Sequence, residues 1–558
     1  MSLCLHATPG QLDPTFGVAG VASIAVNDSG GYLYVNGMAT QTDGKILLAG
    51  YGGSSGRYVY RLLPNGAPDQ SFGVGGKIAP AVYNVQSVLV QADGNIIVCG
   101  GSGSFELNRF LPNGAPDPAF GTNGISSTVV AGGMSQNVSE CALAADGKIV
   151  AVGSATPDYA NNTGVALRLN ANGTIDTTFG VNGVLQLTAP GKGVQFYAVA
   201  LQADGKVVVG GSIVQGLKNY AAAFRLLNNG TLDPSFGSGG IAIDAASAIT
   251  GQGALLLSVR ILPNGSIVGS EIRNNSLSSS PVVRFSAAGI FDSGFGVAGA
   301  ATSGLSDIRN IAVQADGAVL LAGDYYKSGA TRLAVARLNA AGQLDQGFAS
   351  GGIAVIDSVL SVDGVGIVLQ PDGKVLAAGP HRAAANDIDL GVTRLLGNEI
   401  IGTVVEFYNS TLKHYFVTAD PAEASAVDAG AAGPGWSRTG FTFKSGGINR
   451  VCRFYGSSEI NPATGLRRGP NSHFYTVDTA ECGLVQQDPG WHFESYDFST
   501  NPPLGTPCQA GTIPVYRAYN GLFAKNDSNH RLTTNLAQYN QTVALGWVAE
   551  GVVMCAPQ

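Results

Sequence analysis

Two interleaved repeat signatures, the way their ends complement each other, and a change of repeat near residue 400 predict a mainly β chain. They point to a seven-bladed β-propeller followed by a small pseudo-threefold, β-rich, trefoil-like domain with short helices. The first signature is an Asp followed three residues later by Phe, at Asp13-Phe16, Asp69-Phe72, Asp117-Phe120, Asp176-Phe179, Asp233-Phe236, Asp292-Phe295 and Asp345-Phe348. Gly follows six of these Phe, and Ala349 follows the last. The second is an Arg that ends an apolar run, at Arg61, Arg109, Arg168, Arg225, Arg284, Arg337 and Arg394. In the first six a turn Gly stands five residues on, from Gly66 to Gly342.

The ends decide between an open stack and a ring. The turn at Pro9 to Asp13 has no Arg strand before it, and Arg394 has no Asp-x-x-Phe segment after it. An open solenoid needs dedicated caps, whereas a ring lets the start of the chain complete its end and leaves few free strand edges. Each unit carries four apolar runs of strand length; in the second they are Gly76 to Ile78, Val85 to Gln91, Asn95 to Gly100 and Phe105 to Leu111. A tight turn joins the middle pair, as in Asp43-Gly44-Lys45, Asp204-Gly205-Lys206 and, in the fifth unit, Asn264-Gly265-Ser266. Asp-Gly and Asn-Gly supply the φ > 0 residues of a two-residue hairpin.

The units read Leu201-Gln202-Ala203-Asp204-Gly205-Lys206-Val207-Val208-Val209-Gly210-Gly211, then Phe224-Arg225-Leu226, then Leu232-Asp233-Pro234-Ser235-Phe236-Gly237. This resembles the bacterial delta-60 repeat, over residues 10 to 397, and the fifth copy departs most, with Asn264 for Asp and Gly269-Ser270 for an apolar-Gly pair. The resemblance implies a propeller-like β structure in secreted and surface proteins and no defined reaction.

A residue present in every blade is first explained by what every blade needs. Each Arg stands eight residues before its Asp, which predicts an ion pair or an Arg-to-backbone bond between neighbouring elements; in the ring-closing unit Arg394 is left without one. The Phe is expected to fill the gap between blades. A calcium ring is not expected, because no unit has the dense Asp-x-Asp-x-Asp-Gly spacing of an oxygen-rich loop. The variable connections leave Tyr325, Tyr326, His381, Arg382, Glu271 and Arg273 as the least repeat-like residues, hence binding candidates on a rigid scaffold.

Composition narrows the setting. Charged residues make up 12% of the chain and the net charge is −7, so no basic surface for nucleic acid is expected. No apolar run approaches a membrane span. Met1-Ser2-Leu3 leads almost directly into the first turn, which fits a mature or trimmed start without a full signal peptide. Cys452, Cys482, Cys508 and Cys555 are too widely spaced for a zinc ribbon and suit two disulfides, with three pairings open, in an oxidising compartment. Cys99 and Cys141 sit alone in apolar strands and read as buried thiols; Cys4 is left over, without an evident lipobox.

From residue 403 to 558 a different unit repeats three times. Each copy opens with an aromatic strand (Val405 to Asn409, Cys452 to Gly456, Tyr516 to Asn520), followed by a His-led strand at His414, His473 and His530. A short helix follows, with Asp420, Asp478 or Asn535 as N-cap and Glu423, Glu481 or Gln538 in its first turn. Gly435-Trp436, Gly490-Trp491 and Gly546-Trp547 close the copies and hold the only three Trp. The motifs His473-Phe474-Tyr475-Thr476, Gly490-Trp491 and Gly546-Trp547-Val548-Ala549-Glu550-Gly551 make residues 403 to 556 similar to a domain family of unknown function at the C-termini of secreted bacterial proteins. That resemblance implies an attachment module; the third copy departs at Arg531-Leu532.

One Trp per copy favours a place in each lobe's core, against the alternative that Trp436, Trp491, Trp547, Tyr415, Phe474 and Tyr475 stack on sugar rings. Three His on a threefold axis would be needed for zinc, and no spacing indicates that they converge, so no metal and no cofactor is expected. No Gly-x-Ser-x-Gly elbow, His-Glu-x-x-His or phosphate loop is present. The expectation is a monomeric, non-enzymatic binding or adhesion protein, secreted or on the cell surface, with domains over residues 1–400 and 403–558 and a glycan or surface protein as partner. The competing expectations are a carbohydrate-active hydrolase or lyase using Asp324, Glu271, His381 or Asp387 on the variable face, and a structural spacer.

Overall fold

The computed structural model describes all residues except 1–8, 29–32, 53–55, 134, 159–160, 189–192, 216–217, 245–252, 274–279, 315, 361–365, 371–372, 385–386, 398–401, 448, 458–459, 461–467, 504–507 and 510. Cys4 therefore lies outside the described residues, as do the side chains of Arg382 and Asp387. Two compact units are present, a propeller over Gly10–Gln370 and Val375–Leu395 and a second over Leu396–Gln558.

From the inner edge outward, blade 1 consists of Leu33–Thr40, Ile46–Gly52, Gly56–Leu62 and Lys77–Ile78. Four more four-stranded sheets repeat this order. Blades 6 and 7 share one eight-stranded sheet only because a single bridge, Val359 to His381, links them. The blade boundary falls one strand later than the repeat boundary read from sequence. Lys77–Ile78, expected to open the second unit, pairs with Val59 and Tyr60 as the outer strand of blade 1. The physical reason is the Asp-x-x-Phe corner, which turns the chain back onto the Arg strand it has just left.

Blade 7 takes Gly366–Leu369, Val375–Ala384 and Asp387–Leu395 from the end of the repeat array and Val21–Asp28 from its start. Val21 pairs with Thr393 and Ile24 with Leu390. The ring closes on an apolar core as well: Leu376, Ala378, Leu390 and Val392 pack with Leu33, Val35, Ile46 and Leu48 of blade 1. Comparable clusters fill the other six blade junctions.

The repeated residues form one fastener per junction. Arg109 donates from Nε to Asp117 Oδ2 at 2.7 Å, and from Nη1 to the Ala171 carbonyl in the turn of the next blade at 2.6 Å. Arg394 makes the same pair across the ring closure, with Asp13 at 2.8 Å and the Pro64 carbonyl at 2.6 Å. So the ion pair and the backbone bond both occur. Each guanidinium lies over the Phe of its own repeat, 4.3 to 4.8 Å from the ring centroid. The turn Gly of the next blade lies against that ring. At Gly173, φ is +84° and an added Cβ would come within 2.8 Å of the Phe120 ring, so both conformation and space require glycine.

Cys99 and Cys141 are joined in a disulfide, which corrects their reading as separate thiols. Cys99 lies in the second strand of blade 2 and Cys141 in the inner strand of blade 3, so packing sets them face to face across a junction that sequence proximity does not reveal. In the second unit, Cys452 pairs with Cys482 and Cys508 with Cys555.

Each lobe of that unit has three antiparallel strands, the first in the middle, and one helix. The first strands are Gly402–Asn409, Asn449–Gly456 and Thr512–Tyr519, and the helices are Pro421–Asp428, Thr479–Val485 and Leu536–Ala544. Asp478 caps its helix by accepting from the Ala480 and Glu481 amides, and Asn535 from that of Gln538. The helix is tied to its strand in a different way in each lobe, at equivalent positions: one apolar cluster that takes in Ala424 and has Val405 packed against it, the Cys452–Cys482 bridge, and the stacked rings of Tyr516 and Tyr539, 5.0 Å apart.

The pairing register corrects the expected His set. Tyr415, His473 and His530 stand opposite Tyr408, Tyr455 and Tyr519, so these three are equivalent, and His414 stands one residue earlier. A one-residue offset reverses the face of a strand. His414 Nε2 bonds Asp527 at 2.6 Å, whereas His473 and His530 face Glu494 and Glu550 at 3.2 and 3.7 Å. Three histidines do not share an axis.

Candidate functional site

Phe416, Phe474 and Arg531 occupy the next equivalent position, and each meets the following lobe. Phe416 lies 4.8 Å from the His473 ring, Phe474 lies 5.1 Å from His530, and the Arg531 guanidinium lies 4.4 Å from the Tyr415 ring. The lobes are thus welded by aromatic and cationic contacts. Burial, then the Arg517 charge, pushes the His530 imidazole down to about 3.

Between the first two lobes this weld leaves a depression of about 290 Å³. Tyr415, Trp436 and Tyr455 present ring surface to it, and His473, Asn471 and Glu494 present polar groups. Trp436 opens its lobe's third strand at a half-buried position, edge-on to Phe416 at 6.1 Å. Tyr455 stacks obliquely on His473 at 4.8 Å, and its hydroxyl bonds the Asn471 side chain. Burial opposes ionisation of Glu494, but the hydrogen bond and charge of His473, with the charge of Arg453, outweigh it and hold the carboxyl below its ordinary range. Half-exposed rings beside an ionised carboxylate and a carboxamide suit a ligand with both CH faces and hydroxyls.

The other expected ligand residues divide. Phe474 and Tyr475 are only 7% and 2% exposed, and the Tyr475 hydroxyl donates to the Val417 carbonyl at 2.6 Å, so neither ring face is open to a ligand. Trp491 packs beside Phe474 at 5.8 Å, and Trp547 meets the Tyr415 ring edge-on at 5.8 Å, both half-buried and outside this depression. Tyr455, Asn471 and Glu494 were missed as site residues; the Tyr of every first strand was the available signal.

On the propeller, Tyr326 is 74% exposed and Tyr325 packs partly against a blade core. His381 Nδ1 lies 3.3 Å from Ser23 Oγ, which donates to Asp389 at 3.1 Å. The carboxylate bonds the hydroxyl rather than the imidazole, unlike a catalytic relay. Glu271 accepts from Arg273 at 2.9 and 3.1 Å, and Arg273 also reaches Asp244 at 3.5 Å. Burial, then the neighbouring Asp244 carboxylate, pushes Glu271 up to about 8, against the pull of Arg273. Both carboxylates are 0% exposed, so neither faces a substrate from solvent. No group of three or more His, Cys, Asp or Glu suited to a metal occurs among the described residues.

Comparison with known proteins gives the class. Residues 41–72, 91–120, 144–179, 202–236 and 314–348 match the Domain of unknown function (DUF5122) beta-propeller. Residues 466–558 match the Domain of unknown function (DUF5648). The chain thus combines a β-propeller similar to the first with a C-terminal part similar to the second. Among solved structures, a protein of unknown function from Dyadobacter fermentans is 13% identical over 68% of this chain and 100% of its own, with a TM-score of 0.35. One from Bacteroides caccae is 15% identical over 48% and 85%, with a TM-score of 0.29, and the Dos1 propeller 11% over 66% and 94%, with 0.37. No curated protein matches the chain. Three disulfides fit an oxidising compartment, and no helix among the described residues is long and apolar enough to cross a membrane.

Proposed function

We propose that the chain is a secreted or cell-surface binding protein rather than an enzyme, whose C-terminal unit holds carbohydrate in the depression between its first two lobes. The observation that carries this reading is the grouping of Tyr415, Trp436 and Tyr455 rings around Glu494 and Asn471 in one recess of about 290 Å³. CH faces of a sugar stack on such rings while its hydroxyls bond the carboxylate and carboxamide. The disulfides support the extracytoplasmic setting. The propeller then acts as a rigid carrier.

The test is a glycan array probed with the full chain. Selective binding is expected, reduced at least about tenfold by Tyr455→Ala and by Trp436→Ala with far-UV CD unchanged, the scale of losing one buried contact of a binding site. A folded wild-type chain that binds nothing on the array defeats the reading.

A further inference from the structure

A cavity lies on the axis of the propeller, where the inner strand of each of the six blades described at that position carries a bulge. In blade 1 the pairing slips between Val35 and Gly37, in blade 3 between Val138 and Glu140, in blade 4 between Phe196 and Ala198, and in blade 5 between Leu256 and Ser258. In blade 2 the Gln86 amide donates to the Cys99 carbonyl while Ser87 is already the partner of Cys99. Blade 6 has a wider slip, between Ser306 and Asn310. The corresponding residue of blade 7 lies outside the described residues. A bulge frees one residue from the ladder and re-aims its side chain.

The freed residues are Asn36, Gln86, Ser139, Tyr197, Leu257 and Arg309, and all six line one axial cavity of about 720 Å³. That lies within the span of roughly 300–1,000 Å³ typical of small-ligand sites. Positions that serve the fold hold the same residue in every blade, as the Arg, Asp and Phe of the fastener do. The bulge positions hold six different residues, five of them hydrogen-bonding. A shared backbone device carrying unlike side chains is what recognition of one asymmetric ligand requires.

Charge selects the ligand class. The two guanidiniums of the cavity each have a carboxylate: Arg260 lies 3.4 Å from Glu140, and Arg309 lies 3.0 Å from Asp307. Neither leaves a net charge to attract an anion or a cation. Among the bulge residues, the polar groups beyond these pairs are the Asn36 and Gln86 carboxamides and the Ser139 and Tyr197 hydroxyls, with Leu257 as the apolar member. Asn137, Asn310 and Ser87 add further polar lining, and Val88, Val138 and Val199 are among the apolar residues. Asn36 also donates to the Val85 carbonyl at 2.8 Å, and the Tyr197 hydroxyl donates to the Gln195 side chain, so that hydroxyl meets a ligand as an acceptor. We propose that the axial cavity binds a small neutral polyhydroxylated molecule, a mono- or disaccharide, through the ring of bulge residues. This goes beyond the C-terminal reading and does not depend on it.

The experiment is isothermal titration of the full chain carrying Trp436→Ala with Tyr455→Ala, so that binding at the C-terminal depression is strongly weakened, with glucose, galactose, mannose, maltose and cellobiose as probes. Saturable binding of at least one sugar is expected, weakened about tenfold by Gln86→Ala and again by Ser139→Ala, each a lost hydrogen bond. Ser139→Trp, which fills the cavity, should abolish it while far-UV CD and the melting temperature of the chain stay as they were. Binding by none of the probes, or binding that ignores all three cavity variants, overturns the proposal. Array binding by the wild type that survives these variants leaves the C-terminal reading intact, so the two fail separately.

Discussion

Arg531 and Glu406, 125 residues apart in sequence, form a two-pronged ion pair with both contacts at 3.0 Å. The pair closes the threefold unit. At the other two lobe junctions an Arg of the first strand lies over a Phe of the preceding lobe, Arg453 over Phe416 at 5.8 Å and Arg517 over Phe474 at 5.0 Å. Those arginines also reach a helix carboxylate, Glu423 at 2.6 Å and Glu481 at 3.5 Å. At the third junction the charges are exchanged: Glu406 replaces the Arg, Arg531 replaces the Phe, and the helix position holds Gln538, where a carboxylate would repel Glu406.

Removing one partner of this buried pair should be costly and restoring the other junctions' chemistry should not. Arg531→Phe leaves Glu406, 3% exposed, without its counter-charge and is expected to destabilise the unit by about 3–5 kcal/mol. Adding Glu406→Arg should recover more than half. Urea unfolding followed by Trp fluorescence reads this unit alone, because all three Trp lie in it. Additive losses in the double variant would contradict the exchange.

Cys99 and Cys141 should resist alkylation by iodoacetamide in denaturant without reductant and react after reduction. The bridge closes a separation of 42 residues, so Cys99→Ala with Cys141→Ala is expected to lower propeller stability by up to about 4 kcal/mol. Peptide mass mapping that finds either cysteine labelled before reduction would restore the free-thiol reading.

Glu271 couples propeller stability to pH. Its folded-state carboxyl is raised from 4.5 to about 8, so the folded chain holds a proton that the unfolded chain releases across that interval. Its contribution is fully present below pH 4.5 and is lost as pH rises to about 8, with a slope of at most about 1.4 kcal/mol per pH unit. Glu271→Gln should remove that slope, making the variant gain on the wild type in thermal melts as pH rises. Parallel melting curves from pH 5 to 8 would show that the Arg273 and Asp244 contacts already balance it.

The turn glycines differ in what surrounds them. At Gly173 a Cβ would meet the Phe120 ring at 2.8 Å, whereas at Gly103, with φ of +88°, nothing lies within 4 Å. Gly173→Ala adds overpacking of about 1–3 kcal/mol to the backbone strain that Gly103→Ala carries alone. Chemical denaturation of the two variants should separate by that amount; equal losses would mean that the Phe ring yields.

Much of this was legible because a repeat states its requirements seven times. Arg, Asp, Phe and Gly recur at fixed spacing, and each proves to be a contact of one blade junction. What sequence did not reveal depends on pairing across space. Cys99 and Cys141 stand in adjacent blades, and nothing in their flanks marks the juxtaposition. His414 looks equivalent to His473 by residue type, but the ladder register puts Tyr415 there. Phe474 and Tyr475 read as ring surface because aromatic residues serve cores and ligands alike, and only burial separates the two uses. The bulge residues carry no motif at all, since a bulge is a mismatch between two strands and neither strand alone contains it.

Ring closure also sets the order in which the chain can fold. Asp13 waits for Arg394, 381 positions later, and at roughly 5–20 residues per second of synthesis that wait lasts tens of seconds. Through it Val21–Asp28 has no ladder to join and the facing sides of blades 1 and 7 stay uncovered. The first strand made is the last to dock, so the propeller is an all-or-nothing object in length. A chain stopped before Arg394 leaves Asp13 unmatched and an open strand edge of the kind that pairs with other chains instead.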